Sequence, residues 1–192
     1  MTDARAVEQI VAQLAQQLGE VDPDVWWRCM DVNLRGPYLC SRAVLPGMIA
    51  RGSGRIITTA SHTGVGPWPG SGAYAISKTA VIRLCETMAA EVKDHGISVF
   101  SIHPGGVATA MTASQFGSEA ARIWFPRIYK YVTQGVTGQP PELAGELVVF
   151  LASGKADALS GCFISVDDDV TEMVSRAEEI QANELHRLRL RT

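Results

Sequence analysis

The sequence predicts an α/β fold, a short parallel sheet covered by helices, on three observations. Strand-like apolar segments at residues 55–60, 97–102 and 161–166 alternate with segments whose apolar residues recur at three- and four-residue steps. The turns between them are short and marked by Gly and Pro. No internal repeat or low-complexity stretch competes with this alternation.

The elements follow in order. Val7, Ile10, Val11, Leu14 and Leu18 give residues 4–18 helical periodicity, with Gly19 as the stop. Asp22-Pro-Asp24 opens a second helix, with Asp24 available as its cap. Trp27, Met30, Leu34, Tyr38, Leu39 and Ala43 carry it to about residue 50, and Pro46 should disturb its last turns. Arg51-Gly-Ser-Gly54 is a turn, and the strand Arg55-Ile-Ile-Thr-Thr-Ala60 delivers Ser61. Residues 64–72 read as loop and 73–93 as helix, closed by His95-Gly96. The strand at 97–102 breaks at Pro104-Gly105-Gly106. Residues 111–136 predict one or two helices over a cleft, with Trp124, Phe125, Ile128, Tyr129 and Tyr131 as their apolar content. Core packing and lid closure suit that stripe equally. Pro140-Pro-Glu142 starts a helix through Leu151, a third strand covers 161–166, and a terminal helix covers 171–182.

Composition narrows the function. At 192 residues the chain can bury a real core, and 46% hydrophobic with 19% charged residues is the balance of a globular protein. A formal net charge of −3 argues against nucleic acid or an anionic membrane as partner. The basic tail His186-Arg-Leu-Arg-Leu-Arg191 alternates with Leu and reads as a docked terminal segment. Cys29, Cys40, Cys85 and Cys162 form no CxxC pair and no Cys/His spacing suited to zinc, so no metal site and a reducing cytoplasm are expected. No apolar run reaches the roughly 18 residues of a membrane span.

The residues that carry chemistry are Ser61 and Tyr74-Ala-Ile-Ser-Lys78. Four residues apart on a helix, Tyr74 and Lys78 share a face. A loop of thirteen positions can return the Ser61 hydroxyl to the phenol. An ammonium beside a phenol favours the phenolate and should draw the Tyr pKa down from about 10. Such a trio predicts proton transfer at a carbonyl or alcohol oxygen. Singly, each residue has an ordinary explanation: Ser61 ends a strand, and Tyr74 is a core aromatic with a wet tip. His62 could line a pocket, whereas His103 reads as a spacer before the Pro-Gly turn.

Together these residues resemble the short-chain dehydrogenase/reductase family over about residues 4–166. Asp31-Val-Asn-Leu-Arg-Gly36 is similar to the family's catalytic-asparagine helix and places that residue at Asn33. Ser61, Tyr74 and Lys78 match the family's serine and Tyr-x-x-x-Lys pair. His103-Pro-Gly-Gly-Val-Ala-Thr109 resembles the segment at the nicotinamide end of the cofactor, and Ser160–Asp167 the last strand. The resemblance implies a partial Rossmann-type doubly wound parallel sheet and NAD or NADP as cofactor. Its substrate would be a small, apolar alcohol or ketone. It implies Asn33, Ser61, Tyr74 and Lys78 as catalytic residues. Pro104, Gly105, Val107 and Thr109, with Tyr74 and Lys78, would hold the cofactor. A homo-oligomer through the Asn33 and Tyr74 helices is also implied.

The family's glycine-rich pyrophosphate turn has no counterpart, since Gly19 is the first glycine. Nor does an Asn-Asn-Ala-Gly segment stand between Val21-Asp22 and Pro23. The expectation is one incomplete domain over 1–192, truncated at its cofactor-binding half. Residues 1–22 would be a remnant crossover helix, 23–167 the catalytic half and 168–192 a terminal helix and tail. Such a chain would supply the last three strands of the sheet, expose an apolar strand edge and by itself bind cofactor poorly. Trp68, Met111, Trp124 and Phe125 suggest an apolar substrate pocket. A remnant acting as a dimerisation module is the competing expectation.

Overall fold

The computed structural model describes residues 18–135 and 138–190; the helix expected at 4–18 lies outside them but for Leu18, in a turn. Among the described residues three parallel strands pair in the order β1-β2-β3: β1 (Gly54–Thr59), β2 (Ile97–His103) and β3 (Phe163–Ser165). Gly54 aligns with Ile97 and Thr59 with Ile102, while Ser101 aligns with Phe163. β1 is therefore an edge strand, as the three-strand expectation requires.

α1 (Pro23–Met30) is capped by Asp22 rather than Asp24. The Asp22 carboxylate accepts from the amides of Asp24 at 2.8 Å and Val25 at 3.2 Å. Pro23 explains the shift: it sits in the first helical turn, where a missing N–H costs nothing. The expected continuous helix to residue 50 is interrupted by a π-helical turn, Asp31–Arg35, before α2 (Gly36–Arg51). Pro46 lies inside α2, and Gly52 at φ 65° ends it.

α3 (Gly72–Val92) covers one face of the sheet. Val81, Ile82, Cys85, Met88 and Val92 pack there against Ile97 and Val99. The opposite side chains of β2, Phe100 and Ile102, meet Leu147 and Leu151 of α7 (Pro141–Ala152). The two-residue alternation of a strand thus gives β2 two cores. Every β2 residue before His103 is buried. The terminal helix expected at 171–182 is two pieces, α8 (Val170–Ser175) and α9 (Ala177–Ala182), broken at Arg176; both add to the α7 core through Met173, Ala177 and Ile180. The third strand is shorter than the expected 161–166, because Gly161 at φ 88° and Asp167–Asp168 turn away from the ladder.

Residues 110–133 form three short helices, not one or two: α4 (Ala110–Phe116), α5 (Glu119–Trp124) and α6 (Pro126–Thr133). Ser118 caps α5, and Pro126 forces a break before α6. The tail docks as expected, held by Glu86: its carboxylate accepts from the Leu188 amide at 2.7 Å and from Arg189 at 2.9 Å. No helix among the described residues is long and apolar enough to cross a membrane.

Candidate active site

Ser61 follows the end of β1 in extended backbone and is buried. Its Oγ accepts from the Thr63 amide at 3.2 Å, which starts a single 3-10 turn, His62–Gly64. Gly64 is buried against the backbone of Lys78, where a Cβ would collide with the Lys78 carbonyl. That close approach, locked by the Thr79 hydroxyl donating to the Gly64 carbonyl at 2.9 Å, sets Ser61 beside the start of α3.

Tyr74, in the first turn of α3, is brought to Ser61 as expected. Burial pushes its phenol above the ordinary range, and a hydrogen bond with Ser61 opposes that only in part. The expected depression by Lys78 is not found. Lys78 is itself buried, and desolvation lowers its pKa. Its Nζ lies 5.5 Å from the centre of the Tyr74 ring and donates to the Thr59 carbonyl at 2.9 Å. At this distance, desolvation of the phenolate outweighs attraction to the ammonium. An ammonium has three donors, and Thr59 takes one.

Asn33 sits in the π-helical turn, and its Nδ2 donates to Ser77 Oγ at 3.1 Å and Cys29 Sγ at 3.4 Å. Ser77 in turn donates to the Tyr74 carbonyl at 2.7 Å. Asn33 therefore reaches the face of α3 that carries Tyr74 and Lys78. Burial raises the Cys29 thiol, so it remains protonated. Ser77 and Cys29 were not picked out from sequence: a serine next to Lys78 and a cysteine one turn before Asn33 look like ordinary helix residues.

After β2, residues 104–109 are irregular, with Gly105 at φ 84°. Gln139 packs on Gly105 where a Cβ would stand, and the Gln139 amide donates to the Gly106 carbonyl at 2.8 Å. The Val107 carbonyl accepts from Thr112 Oγ1 at 3.1 Å, and Thr109 caps α4. The Thr109 hydroxyl is thus already engaged in a capping box. Pro104, Gly105, Val107 and Thr109 form one continuous segment beyond the end of β2, the same edge of the sheet as Ser61.

Trp68, Trp124 and Phe125 pack into one another with Phe116, Ala121 and Tyr129 and form a small core instead of an open apolar pocket. Trp68 and Phe125 lie 6.1 Å apart, and Phe116 meets Phe125 edge-on at 5.7 Å. Of the two meanings of the aromatic stripe, the structure contains the packing. A concavity of about 800 Å³ lies elsewhere, at the start of β2 between Arg83, Lys93, Asp157 and Arg189. Arg83 and Arg189 are paired with Glu86 there.

Comparison with known proteins agrees with this geometry. The family profile described as short chain dehydrogenase matches residues 1–120. A short chain dehydrogenase of Monascus purpureus is 32% identical over 163 residues, 85% of this chain and 51% of that protein. A protein of Xanthobacter autotrophicus named inactive 2-(S)-hydroxypropyl-CoM dehydrogenase 2 is 38% identical over 150 residues, 77% of this chain and 64% of its own. A gluconate 5-dehydrogenase from Burkholderia cenocepacia, solved with NADP and tartrate, superimposes with a TM-score of 0.68 at 31% identity, covering 83% of this chain and 61% of that one. The chain thus spans about half the length of the Monascus relative. On the family match and the shared architecture, the chain belongs to the short chain dehydrogenase family.

Proposed function

We propose that this chain carries the catalytic half of an NAD(P)-dependent oxidoreductase that interconverts an alcohol and a carbonyl on a small, apolar substrate. The observation that carries the reading is the convergence of Ser61, Tyr74 and Lys78 at one edge of the sheet, two of the three buried. Tyr74 is the group that passes a proton to or from the substrate oxygen. Burial favours the protonated phenol, the form that donates to a carbonyl oxygen; the phenolate takes the proton back in the reverse direction. Ser61, which accepts from the Thr63 amide and hydrogen-bonds the Tyr74 phenol, can turn its hydroxyl to charge developing on that substrate oxygen. Asn33, through Ser77, positions the α3 face from behind.

The described residues fit the nicotinamide–ribose end of the cofactor. Lys78 has two donors beyond the Thr59 carbonyl, suited to ribose hydroxyls, and the segment from Pro104 to Thr109 would hold the carboxamide. When bound, the nicotinamide supplies or accepts the hydride. No glycine-rich turn for the pyrophosphate occurs in the 192 residues, so the remaining contacts are few. The reading keeps the expected division of one domain into 1–22, 23–167 and 168–192, and a cytoplasmic location. Titration with NADH and NADPH, followed by nicotinamide fluorescence, tests the reading. Saturable binding of one dinucleotide in the millimolar range or tighter is expected. Absence of binding there defeats activity of this polypeptide.

One observation favours a second reading, a module that acts by self-association. Trp27, Tyr38 and Leu39 of α1–α2 and Ile76 of α3 are all exposed apolar residues on the elements bearing Asn33 and Tyr74. Light scattering decides it: a dimer that Trp27→Glu converts to a monomer supports that reading.

A further inference from the structure

We propose that His62, His103 and Asp167 form a binding site for a divalent transition-metal ion of the zinc class at the carboxyl end of the sheet. Each side chain offers one donor atom, and the three atoms lie within 4.8 Å of one another. The three residues are far apart in sequence, which is why Cys and His spacing gave no sign of a metal site. They meet because parallel strands deliver their carboxyl ends to one edge. His62 stands just past β1, His103 ends β2, and Asp167 lies two residues beyond β3.

Neighbours already orient these groups. The His62 ring packs edge-on against Phe163 at 5.5 Å, and its Nε2 lies 3.3 Å from Ser165 Oγ. Ser165 Oγ donates to one Asp167 oxygen at 3.2 Å, and Gln139 Nε2 donates to the other at 2.5 Å. Hydrogen bonds of this kind fix metal-ligating side chains. The two imidazoles meet edge to face, 4.2 Å between ring centres. The buried Nδ1 of His103 has no hydrogen-bond partner among the described residues.

Two nitrogens and one carboxylate oxygen suit zinc or a similar first-row ion, with a position left for water or a substrate donor. Calcium and magnesium prefer sites built from oxygen alone. Ligand atoms around zinc sit roughly 3.3 Å apart, as bond lengths near 2 Å require. Closing from 4.8 Å needs small rotations, and His62 and Asp167 are exposed and can make them. The proposal stands apart from the oxidoreductase reading, because ion binding is measured without turnover.

The test is titration of the chelator-treated full chain with Co²⁺, followed by visible absorption, with Zn²⁺ as competitor. One Co²⁺ per chain, displaced by Zn²⁺, is expected. Asp167→Asn and His103→Gln should each weaken Co²⁺ by at least about tenfold, while His95→Gln, exposed at the far end of α3, should not. If His103→Gln does not fold, Asp167→Asn at its exposed position gives the answer alone. No Co²⁺ absorption at millimolar ion, or wild-type affinity in Asp167→Asn, overturns the proposal.

Discussion

Asn33 Nδ2 donates to Ser77 Oγ at 3.1 Å and so ties the π-helical turn to the helix bearing Tyr74 and Lys78. The extra residue per turn of a π-segment re-aims a side chain that a regular α-helix would point elsewhere, and such turns recur at functional sites. Ser77 can accept this bond because its own hydrogen is given to the Tyr74 carbonyl.

Ser77→Ala should strand the Asn33 amide in a half-buried position and cost about 1–3 kcal/mol in urea unfolding. Asn33→Ala should add little on top of it. Strict additivity of the two changes in a double-mutant cycle would show that the contact carries no energy.

Tyr74→Phe removes the proton donor and keeps the ring. Turnover of a ketone panel should fall by about 10²–10⁴-fold, with NADPH affinity nearly unchanged. Equal activity in the variant would remove Tyr74 from the mechanism.

Arg55 at the start of β1 clasps Asp157 with two bonds, 2.8 Å from Nε and 2.5 Å from Nη2. Burial pushes the Asp157 carboxyl up, but hydrogen bonds from Arg55 and Ser98 outweigh it and hold the group below 3.8. A carboxyl depressed in the folded state stabilises above its unfolded pKa, and that contribution fades as pH falls through the folded value. Because both side chains are a third or more exposed, Arg55→Ala should cost only about 0.5–1 kcal/mol at pH 7. The difference from wild type should shrink as the pH is lowered past the ordinary carboxylate range; a constant difference would assign the loss to packing.

Of the four cysteines, Cys40 alone is exposed. Burial raises the Cys85 and Cys162 thiols to about 11 and pushes Cys29 upward too. A disulfide reagent at pH 8 should therefore label one thiol rapidly in the native chain and four in guanidinium. Fast labelling of two or more would mean that the buried ones open readily.

Gly96 turns α3 into β2 at φ 64°, and a Cβ there would press on the Gly52 carbonyl. Gly96→Ala should lower stability by about 1–2 kcal/mol through strain in the left-handed region. A thermal midpoint equal to that of wild type would show that the turn relaxes.

Sequence alone determined the order of strands and helices and the chain positions of Ser61, Tyr74 and Lys78. Those features depend on local periodicity and on spacing along the chain, as with Ile97, Val99, Phe100 and Ile102 dividing between two cores. Only the tertiary structure decided the protonation of Tyr74, since that depends on how much water its packing removes. It also decided the fate of Trp68, Trp124 and Phe125, which fill one another's space, and the π-turn under Asn33, whose amide finds Ser77 only across two helices. The meeting of His62, His103 and Asp167 was hidden for the same reason. Parallel strands bring together side chains that chain distance keeps apart, and no local pattern records which carboxyl ends will be neighbours.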